Sequence, residues 1–121
     1  MNCPFCNLKE RILFENDLAV AFFDSFPVSK GHTLVIPKRH SIHYFELTKE
    51  EIAAMFELSK QVEKYLSETY HPDGYNIGFN VLDAGGQSVM HTHMHVIPRY
   101  KGDADNPRGG IRKIVKNKSA Y

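Results

Sequence analysis

The chain of 121 residues predicts an α+β domain on a mainly antiparallel five-stranded sheet. Three observations predict it. Three short segments rich in apolar and β-branched residues fall before residue 38. One long segment with helical periodicity opens near Thr48. Two further strand-like segments follow it. Strands, then one helix, then strands favour antiparallel pairing over the strand–helix alternation that builds parallel sheets.

Each element has a local reason. Ile12 to Glu15 and Leu18 to Phe23 flank Asn16-Asp17, a hairpin turn pair. Asp24 to Gly31 contains Pro27 and Gly31 and reads as a loop. His32 to Ile36 is rich in β-branched residues and stops at Pro37, so it reads as a third strand. Thr48 and Glu51 form a capping box. The helix they open is expected to run to about Thr69, with Ile52, Met55, Phe56, Val62 and Leu66 on one apolar face. His71-Pro72-Asp73-Gly74 ends it. Tyr75 to Val81 alternates polar and apolar residues, Gly85-Gly86 makes a turn, and Val89 to Ile97 is the last strand.

Composition is that of one globular domain spanning 1–121, with 42% hydrophobic and 24% charged residues. Lys+Arg at 15 against Asp+Glu at 14 leaves a net charge of +1. That balance argues against a dedicated nucleic-acid or membrane-surface binder, since both lean on excess positive charge. The sum hides an asymmetry. Residues 98–121 carry seven Lys/Arg and two Asp/Glu, a net of +5, and read as a basic extension; residues 1–97 stand at −4. The opening Met-Asn-Cys-Pro-Phe-Cys has no signal-peptide pattern, and no apolar run suits a membrane span, so a soluble, cytoplasmic protein is expected.

Histidine is the unusual entry, with seven residues. His91, His93 and His95 alternate with Thr92, Met94 and Val96. On a strand that spacing puts three imidazoles on one face, about 6.6–7 Å apart. One phosphate touches two rings at that pitch. A single ion is harder to serve, because the side-chain vectors run parallel. A plain histidine-rich core face is costly, since adjacent polar rings need partners. Upstream, Gly85-Gly86-Gln87-Ser88 offers backbone N–H groups and a hydroxyl to an anion, although alone it is a common turn.

The segment from Gly86 to Ile97 resembles the signature of the histidine triad (HIT) family, in which three histidines alternate with apolar residues. Thr92 departs mildly from that pattern. Leu18 to Asp24 and Gly31 to His40 are similar to other parts of the family, so the resemblance covers nearly the whole chain. It implies a HIT-like fold with one long and one short helix and a homodimer. It also implies nucleotidyl chemistry at an α-phosphate. His93 would be the nucleophile, forming a nucleotidyl-histidine that water resolves. His95 would donate to phosphate oxygens, Ser88 would meet the leaving group, and His32 would support the triad. Asp24 would bind ribose, and Asn80, Gln87 and Val89 would complete the nucleotide site. For Asp24 and Asn80 a plain turn role stays open.

Cys3 and Cys6 at C-x-x-C spacing lack the context of a thioredoxin motif. Some bacterial relatives carry a structural zinc on such a pair, a strand-end histidine and the first triad histidine. This resemblance places zinc on Cys3, Cys6, His40 and His91, the last two sitting at strand ends. His43 and His71 read as surface residues. Diadenosine polyphosphates and nucleoside phosphoramidates are the implied substrates. The basic extension favours a polyphosphate leaving group or packs on a dimer partner. Two rivals stand beside this reading: a hydrolase whose triad chelates a catalytic ion, and a non-catalytic nucleotide sensor or zinc-stabilised interaction module.

Overall fold

Strict alternation in the first strands sends side chains to two faces, and both faces are covered. The computed structural model describes residues 3–8 and 11–116. Five strands, β1 (Ile12–Glu15), β2 (Ala19–Phe23), β3 (Thr33–Pro37), β4 (Gly74–Phe79) and β5 (Met94–Arg99), surround one helix, α1 (Lys49–Tyr70). They form a single sheet in the order β1-β2-β3-β5-β4, with every neighbouring pair antiparallel. The α+β architecture expected from the sequence is the observed one.

Ala19, Ala21, Val35, Met94 and Val96 point toward α1 and pack against Met55, Leu58, Val62 and Leu66. On the opposite face, Val20, Phe22, Leu34 and Ile36 pack with Leu8, Phe5 and Ile12. Period two therefore places His95 on the face away from the helix, opposite Leu34 of β3 and Gly78 of β4.

Thr48 caps α1 with the expected capping box. Glu51 does more than close that box. It is buried, and it also takes a two-pronged hydrogen bond from Arg39 Nε and Nη2 at 2.8 and 2.7 Å. The Arg39 guanidinium holds the Glu51 carboxyl down at about 2, against the opposing effect of burial and with help from the Thr48 N–H. This pair ties the segment after β3, which carries His40 and Ser41, to the start of the helix.

Several local expectations are corrected. Phe56 is 43% exposed, and Leu58 takes the place assigned to it on the buried stripe. Among the described residues there is no second α-helix. The short helical pieces are 3-10 turns at Tyr44–Glu46, Asp83–Gly85 and Gly110–Ile114. The last strand starts at Met94 rather than Val89, because the preceding backbone turns to another partner: Thr92 N–H donates to Ser41 O at 2.8 Å. β3 stops at Pro37, so His40 lies three residues past the strand. Among the described residues, no helix is long and apolar enough to cross a membrane.

Candidate active site and metal centre

Proton positions around the histidines follow from their partners. His93 Nδ1 lies 2.8 Å from the carbonyl oxygen of His91. A carbonyl only accepts, so Nδ1 carries the proton and Nε2 keeps a free lone pair. His32 Nδ1 accepts from the Val28 N–H at 3.1 Å, so its own proton sits on Nε2. That Nε2–H donates to His95 Nδ1 at 2.9 Å, which leaves the proton of His95 on Nε2. His95 Nε2 is the buried side-chain polar atom that lacks a partner among the described residues. The site thus sets a lone pair on one ring and a donor on the next, with ring centroids 5.1 Å apart.

Burial, reinforced by the neighbouring His93 and His32 rings, lowers the His95 imidazole to about 4. Burial also pushes His32 down, partly offset by Asp24. His95 is therefore a neutral donor at pH 7. Asp24 Oδ2 stands 3.4 Å from His32 Nε2, and Asp24 Oδ1 accepts from the Phe26 N–H at 2.9 Å. Asp24, His32 and His95 lie close enough together to suggest an ion site. The proton on His32 Nε2 argues against it, because a protonated nitrogen has no lone pair to offer.

Cys3, Cys6, His40 and His91 bring their ligand atoms within 4.8 Å of one another. Cys3 Sγ is 3.3 Å and Cys6 Sγ 3.5 Å from His91 Nδ1, and Cys6 Sγ is 3.2 Å from His40 Nδ1. A tetrahedral zinc with normal bond lengths holds sulfur and nitrogen roughly 3.6 Å apart, so the set fits with small adjustment. His91 Nε2–H donates to Pro37 O at 3.0 Å, which frees Nδ1 to ligate. The rival in which the three triad histidines share one ion does not match this arrangement. His91 faces the sulfurs, while His95 faces His32.

The remaining expected residues divide. Asn80 shares a cavity of about 250 Å³ with His32 and His95, and Val28, Ile111 and Ile114 supply its apolar walls. Part of the basic extension thus folds back against the sheet. Ser88 and Val89 line a separate depression with Cys3 and His40. Gln87 is buried, and its amide is used within the loop. It donates to the carbonyls of Ile42 and Val89 and accepts from Leu82 N–H. It shapes the turn, and little is left of it for a ligand. Gly86 has φ +89°, a left-handed conformation that favours glycine, while a Cβ there would meet Asn80 Cγ only at an ordinary contact distance of 3.9 Å.

Of the two histidines read as surface residues, one differs. His43 is half-buried and caps the 3-10 turn by accepting from Phe45 N–H, whereas His71 is exposed and ends α1 at φ +54°. Sequence reasoning missed Val28 and Pro37, whose backbone groups set two tautomers and leave no sequence signal. It also missed Phe5, whose place between the two cysteines was the available clue.

The family model described as HIT domain matches residues 6–102. The chain belongs to the HIT family, so the fold and the histidine pattern have a common frame. It is 40% identical over 104 residues to a protein of Schizosaccharomyces pombe named adenosine 5'-monophosphoramidase hnt1, covering 82% of this chain and 75% of that one. It is 33% identical over 115 residues to a bis(5'-adenosyl)-triphosphatase of Dictyostelium discoideum, covering 95% of this chain and 77% of that one. Several other relatives carry only the family name. Among solved structures, a zinc-bound histidine triad family protein from Mycobacterium smegmatis aligns with a TM-score of 0.76 at 35% identity, covering 85% of this chain and 78% of that one.

Proposed function

We propose that this protein is a cytoplasmic nucleotidyl hydrolase acting at the α-phosphate of adenine-type nucleotides. The single observation that carries this reading is the pair of opposed tautomers, a lone pair on His93 Nε2 beside the unpartnered Nε2–H of His95. His93 Nε2 attacks phosphorus, forming a P–N bond while the bond to the leaving group breaks. The ring becomes cationic as it attacks, and its Nδ1–H bond to the His91 carbonyl strengthens with that charge. His95 donates to a phosphate oxygen where negative charge gathers. Ser88 supplies the leaving group with a hydroxyl donor. Water then cleaves the P–N bond, releasing the nucleoside monophosphate and restoring the lone pair. Asp24 receives the ribose, Asn80 takes a phosphate oxygen, and Gln87 and Val89 form the loop beneath them.

The substrates are nucleoside phosphoramidates and diadenosine polyphosphates, the classes named for the two relatives above. The extension that supplies Ile111 and Ile114 to the Asn80 cavity is basic, which favours a polyphosphate leaving group. Zinc on Cys3, Cys6, His40 and His91 is structural: when bound, it closes a four-ligand site and fixes the Cys3–Cys6 turn. A homodimer is expected through the edge strand β4, where Ile77 is 45% exposed and Phe79 neighbours the half-exposed Phe56.

The test is a substrate panel on purified protein, with metal content measured on the same sample. Wild type is expected to release AMP from an AMP phosphoramidate or a diadenosine polyphosphate. His93→Ala is expected to bind AMP and hydrolyse neither. Undiminished turnover by His93→Ala, or no turnover of any member by wild type, refutes the reading.

A further inference from the structure

The ring of Phe5 sits between two functions. It lies in the turn that carries Cys3 and Cys6, where Cys6 N–H donates to Cys3 O at 3.2 Å. Its centroid is 5.2 Å from that of His93, with the rings steeply tilted at 75°. It also meets His91 at 6.1 Å and Phe22 of β2 at 5.3 Å. Phe22 is fully buried in the second core cluster, so one side of Phe5 rests on a rigid floor. The side facing the site presses on the nucleophile.

The Nδ1–H bond to the His91 carbonyl holds the plane of the His93 ring. One hydrogen bond alone does not stop a ring rocking about its axis, and His93 also packs against the rings of His95, at 5.1 Å, and Phe5. Edge-on aromatic packing favours one orientation and narrows that freedom. The position of Phe5 is fixed in turn by the cysteines on either side of it. Whatever draws Cys3 and Cys6 together therefore also sets the wall against His93.

We infer that Phe5 is a positioning residue that makes the orientation of His93 depend on the state of the Cys3–Cys6 turn. A metal on Cys3, Cys6, His40 and His91 tightens that turn, and Phe5 carries the change to the attacking ring. This inference rests on the zinc reading above. It adds that the metal centre acts on the nucleophile through a side chain that is not a ligand.

The experiment compares wild type, Phe5→Ala and Phe5→Leu, each with zinc content measured. The readouts are the ¹⁵N imidazole resonances of His93 and the single-turnover rate on an AMP phosphoramidate. Phe5→Ala is expected to keep its zinc, to broaden or shift the His93 resonances, and to lower the rate about tenfold with KM within twofold. Phe5→Leu, which keeps most of the bulk, is expected to return the rate to within threefold. Ile12→Ala, in the same core cluster, is expected to lose stability while His93 resonates as in wild type. Stripping zinc from wild type is expected to move the His93 signals, and to move them far less in Phe5→Ala.

Unchanged His93 resonances and rate in zinc-loaded Phe5→Ala overturn the inference. So does a zinc-stripping shift as large in Phe5→Ala as in wild type, because the coupling then runs through His91 alone. A chain that takes up no zinc overturns the zinc reading instead. On that same sample, the Phe5→Ala comparison still decides whether Phe5 positions His93.

Discussion

Replacing His32 tests the proton arrangement most directly. His32 is 3% exposed, and its ring makes two hydrogen bonds, from Val28 N–H at 3.1 Å and to His95 Nδ1 at 2.9 Å. Phe is the better substitute, because it keeps the volume and removes both bonds. Two lost bonds at about 1 kcal/mol each, with His95 Nδ1 left buried and unpaired, predict a stability loss of about 2–3 kcal/mol. The kinetic effect has a different origin. Without the His32 Nε2–H, nothing pins the proton of His95 to Nε2, and part of the population carries it on Nδ1. Loss of one aimed donor costs roughly 10²–10³ in rate, and a partial loss is expected to cost roughly ten- to hundredfold. Urea unfolding measures the first effect, and single-turnover nucleotidyl transfer measures the second. Imidazole ¹⁵N spectra report the tautomer. A His32→Phe variant that keeps its rate within threefold, with His95 still protonated on Nε2, refutes the relay.

Three further outcomes are expected. Glu51→Gln should destabilise the fold by about 2 kcal/mol near pH 7, since Arg39 loses a charged partner while remaining half-exposed. The Glu51 carboxyl is depressed, so this difference is full above about 4.5 and fades as pH falls toward about 2; urea midpoints across that range check it. His95 should produce a second limb at higher pH. Its folded value near 4 lies below the unfolded 6.5, so the unfolded chain takes up the proton first and stability falls as pH drops through that window. A His95→Gln variant should make this limb shallower, and an equally steep limb contradicts the assignment. Gly86→Val should cost about 1–2 kcal/mol at φ +89° and raise KM by shifting the strained turn that carries Gln87 and Ser88, read by thermal melting and steady-state kinetics.

What the sequence disclosed was mainly what local chemistry dictates. The Thr48–Glu51 cap, the end of the helix at His71-Pro72-Asp73-Gly74 and the strands β2 and β3 each follow from nearby residues, and each lies within a residue of where it was expected. The start of β5 was not legible. His91-Thr92-His93 has the pattern of a strand, but Ser41, 51 residues away, captures the Thr92 backbone and side chain. Phe56 shows the same limit. Its spacing from Ile52 suits a buried stripe, and only the packing of Leu58 on the sheet decides which edge of the stripe faces inward. At the site, the residue types were legible and the tautomers were not. They depend on Val28 N–H, Pro37 O and His91 O, groups that every residue or nearly every residue possesses. Gln87 looked like a ligand group because its amide partners lie at Ile42, Leu82 and Val89, and none of the three is adjacent to it in sequence.

The Glu51 carboxylate joins the start of the helix to the segment after β3. Its oxygens accept from Thr48 N–H at the first turn of α1 and from Arg39 in the loop leading to His40. Arg39 also donates to Glu46 O, and the Glu46 side chain accepts from Ile42 N–H. The first turn of the helix and the stretch from residue 38 to residue 46 are therefore one opening unit. Fraying at the helix start releases the histidine loop with it. Amide exchange at Ile42, Glu51 and Ile52 should then proceed through a shared opening event, and thermal motion at a helix end becomes a direct determinant of how long the His40 side of the metal centre stays intact.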